Sequence, residues 1–303
     1  MPVQITLTNN PVHIDSLLKI RHKVFSEEES LFNPTPDGRV IDRFDAYNTT
    51  SNLVVLKGNE VVGGLRLNTD SQMGLPADDY YNFRSHLPEK YTLLSCSMFC
   101  VTEPYRNQHI ALSLILMASY FGASRNVTHV IAPINPPIAK LLTRIGFKAL
   151  TEETLKTPSG LEFLPVILDV KNLTDFFYNF TENNRLYNFL KSYTCFFYKK
   201  GEYIIRAGEL GYSAFVIIEG EAEVINPDTG EILAVVTQGE VVGELALLTD
   251  DIRTADVVAK NDLRIMSMAK TEFIEHLTKN PEHAMQMLKS IGNRMKNTLN
   301  KGR

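Results

Sequence analysis

At 303 residues, with 31 Lys and Arg against 35 Asp and Glu and a formal charge of −4, the chain is too long for one ordinary core. It also carries no basic surplus that would announce nucleic acid. The charges divide 15 basic to 17 acidic over residues 1–170 and 16 to 18 over the rest, so neither half is a charged tail. Cys96, Cys100 and Cys195 form no CxxC pair; the first two read as same-face positions on one strand, too far apart to bridge, as in a reducing compartment.

In chain order, "MPVQITLTNNPVHID" lacks the charged and apolar regions of a signal peptide. The longest apolar run, "IALSLILMASYFGA", is too short to span a bilayer, so a soluble cytoplasmic chain without a membrane span is expected. Residues 1–170 alternate strand and helix patterns: "SNLVVLK", "EVVGGLRLN", "YTLLSCSMFCV" and "THVIAPI" as strands, "IALSLILMASYFGASR" as the long helix. This is a mixed α/β domain.

Residues 99–150 run strand, loop, long helix, strand, second helix, then "GF". Loop amides at the head of the "IALSL" helix would face an anion, and the neighbouring strand offers an edge to an extended pantetheine arm. This order resembles the GNAT superfamily of acyltransferases. The resemblance implies a donor site at Phe99, Cys100, Val101, Arg106, Asn107, Gln108, His109, Ile110 and Ala111 for acyl-CoA or acyl carrier protein. Arg106 and Ala111 fit the superfamily loop, while His109 replaces a glycine that lets backbone approach a pyrophosphate, and Leu142 stands where many members have a tyrosine acid.

A narrower resemblance is to acyl-homoserine-lactone synthases and N-acyl amino acid synthases. It is carried by Arg21 and Phe25 in "IRHKVF", Asp42 and Asp45 in "DRFD", Arg66, Phe83 and "KLLTRIGF". It implies transfer from acyl carrier protein to an amine or amino acid, with Arg21, Asp42, Asp45 and Arg66 gripping the acceptor or forming a structural ion-pair network. Ser95 and Met98 stand where the lactone synthases have Glu and Arg, and Leu31 where they have Trp, which argues against a lactone product. Glu103 and His109 are the candidates for a modest proton acceptor. Lys140, Arg144 and Lys148, at i, i+4 and i+8, read as one helix face that an acidic carrier protein could meet. No His and Cys grouping has zinc spacing, so no metal is expected.

Residues 171–195, with aromatics and leucines at helical spacing and no Pro or Gly, read as a helical connector. From 196 to about 269, short strands punctuated by glycines suit a small β-roll, and "PEHAMQMLKSIGNRMKNTL" closes the chain as a helix with Ala284, Met287, Leu288, Ile291 and Met295 on one face. Within the roll, "GELALLTDDIRTA" puts a short helix directly after Gly243, whose amides favour a phosphate, and Arg253 supplies a cationic fork for the same group. Glu244 is an acceptor, and its natural donor beside a nucleotide phosphate is a ribose hydroxyl.

Phosphate and hydroxyl on one sugar describe a 3′,5′-cyclic nucleotide. Residues 190–303 resemble the cyclic-nucleotide-binding domain of kinase regulatory subunits, the catabolite activator and gated channels. The resemblance rests on "KKGEYIIRAGE", "VIIEGEAEV", "GE" at 239–240 and the nine-residue Glu-to-Arg spacing. It implies that Glu244 holds the ribose and Arg253 the phosphate of cyclic AMP or cyclic GMP, with Gly243, Leu245, Ala246, Thr254 and Ala255 around them. Met285, Met287 or Leu288 would cover the purine. No residues follow for a helix-turn-helix reader, so the output is expected upstream.

The expectation is an α+β chain: an acyltransferase domain over 1–170, a connector over 171–195, and a β-roll (jelly-roll) nucleotide domain with terminal helices over 196–303. It is read as an N-acyltransferase set by a cyclic nucleotide. The alternative is a non-catalytic sensor whose first domain binds an acyl ligand or a protein.

Overall fold

The computed structural model describes residues 2–123, 125–157, 160–172, 194–279 and 281–301. The expected connector falls mostly on 173–193, outside the described residues. The chain clusters into two compact units, one of Ile5–Thr181 and one comprising Glu182–Arg303.

The first unit is a sheet of strands β1 (Val3–Thr8), β2 (Thr50–Lys57), β3 (Glu60–Thr69), β4 (Leu93–Val101), β5 (His129–Ile134), β6 (Lys148–Ala149), β7 (Leu155–Lys156) and β8 (Glu162–Asp169). Their order is β1-β2-β3-β4-β5-β8-β6, with β7 also on β8. The β4–β5 pair is parallel, while the β2–β3 and β3–β4 pairs are antiparallel. Helix α1 (Pro11–His22) starts at Asn10, whose side chain accepts the Val12 N–H at 2.9 Å, and continues into a π-helical turn over Lys23–Glu28. Helix α2 (Gln108–Ala123) packs through Gly122 on Leu94, and α1 through Leu17 on Gly64, so the two helices cover opposite faces.

Gly64 is a close-approach position. A Cβ there would lie 2.4 Å from the Leu53 carbonyl oxygen and 2.7 Å from a Leu17 methyl. Gly64→Ala is therefore expected to cost about 1–3 kcal/mol through overpacking, read as a lower urea midpoint with unchanged slope.

Two sequence expectations are corrected in this unit. Helix α3 (Ala139–Ile145) stops at Gly146, whose φ is 108°, so Lys148 lies on β6 and cannot share a helix face with Lys140. Cys96 and Cys100 do not share a face either: Met98, at φ 53°, bulges β4, where Gly64 pairs Cys100 but Arg66 pairs Ser97. The extra residue brings Ser97 and Cys100 to the face of Arg66 and leaves Cys96 on the other.

The second unit has strands β9 (Thr194–Tyr198), β10 (Tyr203–Ile205), β11 (Ser213–Glu219), β12 (Ala222–Ile225), β13 (Ile232–Val236), β14 (Val241–Val242), β15 (Asp256–Ala259) and β16 (Leu263–Ala269). They form two layers, β14-β11-β16-β9 and β10-β15-β12-β13, which bury Ile217, Ala222, Val236 and Ile265 completely. Helices α4 (Glu244–Thr249), α5 (Lys270–Lys279) and α6 (Pro281–Lys301) complete it. On α6, Ile291 is buried, whereas Leu288, three residues earlier on the same side of the helix, is 58% exposed. The Met295 side chain is outside the described residues. No helix among the described residues is long and apolar enough to cross a membrane.

Candidate functional site

In the first unit, the "DRFD" segment folds as a 3-10 turn over Arg43–Ala46 with reciprocal caps. Asp42 Oδ1 accepts the Phe44 N–H at 2.8 Å, and Asp45 Oδ2 accepts the Asp42 N–H at 3.1 Å. Both carboxylates are thereby aimed at the arginines of the sheet face. Arg66, 1% exposed, donates two parallel bonds to Asp42 at 2.6 and 2.8 Å, a third from Nε to Ser97 Oγ at 3.0 Å, and lies 3.0 Å from Asp45. Arg21, fully buried, donates to Asp45 at 2.8 Å and to Asn52 Oδ1 at 3.0 Å. The four charges sum to zero, which is how two guanidiniums remain buried.

Burial pushes the Asp45 carboxyl up, but Arg21 and Arg66 outweigh it and hold it below the ordinary 3.8. Asp42 is the open end: its side chain is 34% exposed against 12% for Asp45. Around it stand Phe44, with the Arg66 guanidinium 5.8 Å from its ring centre, and Tyr80, whose phenol is pushed up by burial and by Asp79 and Asp42.

The predicted donor segment lies along the end of β4 and the head of α2. Arg106 donates from Nε to the Val101 carbonyl at 2.7 Å and pairs with Glu28. Asn107 Oδ1 accepts the Ile110 N–H at 3.0 Å, so one amide at the helix head already has a partner. His109 is exposed, and its carbonyl accepts the Ser113 hydroxyl at 2.6 Å. Glu103 sits exposed on the turn after β4, apart from the charged quartet. Burial pushes the Cys100 thiol up to about 12, so at neutral pH it packs as a thiol rather than acting as a nucleophile.

In the second unit, Gly243 caps α4 at φ 78°. Arg253, 7% exposed, donates to the carbonyls of Gly243 and Ser213. The backbone closes on its guanidinium: a Cβ on Gly243 would lie 2.7 Å from Nη1, and one on Gly211 3.0 Å from Cζ. Burial pulls its pKa down, with Glu209 and Glu244 acting the other way.

Glu244 is 3% exposed and bound by Arg294 of α6 at 2.7 Å, which also donates to the Val241 carbonyl at 3.1 Å. Burial raises the Glu244 carboxyl above the ordinary 4.5, and Arg294 pulls it back. Leu245 and Thr254 are exposed, Ala246 is buried and Ala255 half-buried.

Asn52, Ser97, Gly211 and Arg294 complete these sites, and none was marked by sequence pattern. Arg294 lies fifty residues beyond its partner, and Ser97 joins Arg66 through the strand pairing of β3 and β4. Among the described residues no group of three or more His, Cys, Asp and Glu is placed to hold a metal ion.

Fold and sites define a two-domain protein in which an acyltransferase-type α/β domain is joined to a β-rich nucleotide module. The chain belongs to the N-acyl amino acid synthase FeeM family, whose model matches residues 16–168. Residues 195–280 match the cyclic nucleotide-binding domain. Human cGMP-dependent protein kinase 2 is 34% identical over 82 residues, which is 25% of this chain and 11% of that protein. The cAMP-dependent protein kinase regulatory subunit of Yarrowia lipolytica is 27% identical over 176 residues, 54% of this chain and 44% of that protein. The chain thus spans less than half the length of these curated relatives. The solved structure of FeeM, an N-acyl amino acid synthase from uncultured soil microbes, aligns over 57% of this chain and 94% of its own at 17% identity and a TM-score of 0.47.

Proposed function

We propose that the protein is an N-acyltransferase whose rate is set by a cyclic nucleotide bound in the second unit. The observation that carries the catalytic half is the neutral quartet of Arg21, Asp45, Arg66 and Asp42, whose most open member is Asp42. A carboxylate held bidentately by a buried arginine is a fixed acceptor for an ammonium. The acceptor amine docks there, loses its proton to water or to a modest base, and attacks a thioester laid along Phe99–Val101, whose sulfur leaves as the pantetheine thiol. Arg106 and the Ile110 amide already have protein partners, which favours a carrier-delivered pantetheine over coenzyme A, whose pyrophosphate needs such groups.

The regulatory half rests on Arg253 and Glu244. Arg253 turns part of its donor fork to the cyclic phosphate, and Glu244 accepts from the ribose hydroxyl, a role it must share with Arg294. Rearrangement of that ion pair moves α6, and α6 carries the signal.

The test is acyl transfer from acyl carrier protein and from acyl-CoA to a panel of amino acids, with and without cyclic AMP or cyclic GMP, for the native chain and Arg294→Ala. Nucleotide is expected to change the native rate about 5- to 150-fold. In Arg294→Ala, nucleotide still binds but the rate response flattens. Native rates indifferent to both nucleotides would end the gating claim, and no transfer from either donor would favour a non-catalytic sensor.

A further inference from the structure

Two anchored turns meet beside Asp42. The Arg43–Ala46 turn presents Arg43 as the next residue along, and a second 3-10 turn, Pro76–Asp79, presents Asp79 to it. The second turn is fixed from below: Leu75 and Ala77 are buried, and Arg84 donates to Asp78 at 3.1 Å and to Asp70 at 2.8 Å. Arg43 Nη2 donates to both oxygens of Asp79, at 3.0 and 3.2 Å. The Arg43 guanidinium lies 4.7 Å from the centre of the Phe44 ring, the same ring that Arg66 approaches. Tyr80 closes the circle. Burial raises its phenol first, and Asp79 and Asp42 raise it further, so it stands close enough to feel both carboxylates.

Solvent reaches this circle, unlike the arginines of the quartet beneath it. The side chains of Arg43 and Asp79 are 61% and 55% exposed, and Tyr80 is 38% exposed. Among the described residues, Nε and Nη1 of Arg43 have no hydrogen-bond partner. An exposed ion pair of this kind holds weakly, so a second carboxylate can take the place of Asp79 at little cost. The charges favour one. The quartet is neutral and the Arg43–Asp79 pair adds nothing to it, so an ammonium docked at Asp42 brings a positive charge with no spare anion to meet it. An acceptor that carries its own carboxylate stays neutral, and Arg43 offers that carboxylate a planar fork.

We propose that Arg43 is a specificity-determining residue that binds the α-carboxylate of an amino acid whose ammonium sits at Asp42, an inference that rests on the acyltransferase reading. The carboxylate displaces Asp79 from Nη2 and gains a second nitrogen, so a fork that Asp79 holds through one donor is used through two. Phe44 supports the guanidinium from the ring side. Simple amines and amino acid amides fill Asp42 but leave Arg43 with Asp79, and so bind less tightly. Arg43 holds the acceptor without entering the bond changes, so its loss appears in KM rather than in kcat.

The experiment titrates the full chain calorimetrically with the common amino acids, compares the tightest binder with its carboxamide and its decarboxylated amine, and measures acyl transfer to all three. The amino acid is expected to bind at least about tenfold more tightly than either relative. Arg43→Ala, an exposed substitution that leaves the quartet intact, brings that ratio to within about threefold and raises KM with kcat nearly unchanged. Arg43→Lys falls between, and Asp79→Asn raises the ratio by freeing the fork. Absent binding of every amino acid, equal binding of the three compounds, a preference that survives Arg43→Ala, or a ratio that falls in Asp79→Asn overturns the assignment. An Arg43-dependent preference in binding without any acyl transfer would instead sink the acyltransferase reading and keep the carboxylate site.

Discussion

Arg253→Ala is expected to weaken cyclic AMP and cyclic GMP binding by at least about a hundredfold, measured by calorimetry on the full chain. Two charge-assisted bonds to a phosphate are worth about 1.5–3 kcal/mol each, and the residue is 7% exposed, so little water competes for them. Arg253→Lys keeps the charge but loses the planar fork, and should fall between native and alanine. The same side chain ties the carbonyls of Gly243 and Ser213 together, so the alanine variant also loses about 1–3 kcal/mol of stability in the second unit. Arg253→Ala with unchanged affinity for both nucleotides would remove the phosphate role and the gating reading with it.

Arg66→Ala is the second large effect. It strips Asp42 of its bidentate partner and leaves Asp45 with Arg21 alone, and breaking a buried pair from one side costs about 3–5 kcal/mol. For a unit of this size that lowers the melting temperature by about 10 °C, read by scanning calorimetry. Acyl transfer should fall with it, because Asp42 would no longer be held. A melting temperature within a degree or two of native would show that the quartet stabilises nothing.

Acid gives an independent reading of the same network. Asp45 is held below its ordinary 3.8, so it contributes stability above that value and loses the contribution as pH falls through the folded pKa. The stability gap between native and Asp45→Asn is therefore flat above about pH 5 and closes as pH drops below 3.8.

What pattern could reveal was the chemistry carried by residues close in sequence. Gly243, Glu244 and Arg253 lie within eleven positions, and the roll between them is short, so spacing alone brings the helix head, the carboxylate and the guanidinium together. "DRFD" is similarly local, since its two carboxylates cap one turn. The strands of the first unit were legible because their apolar runs are bounded by turn residues and buried on both faces.

The tertiary structure alone decided which distant side chains share a charge or a face. Arg21 and Arg66 meet the same aspartate because α1 packs on the sheet face toward which β3 turns Arg66, which no periodicity encodes. The Met98 bulge turns Ser97 toward Arg66 and reverses the expected relation of Cys96 and Cys100, since one extra residue shifts a two-residue alternation. Arg294 finds Glu244 only when α6 folds back on the roll. Sequence determined the kinds of group available, and long-range packing determined which of them are left free to bind something else, because burial and pairing belong to the folded chain as a whole.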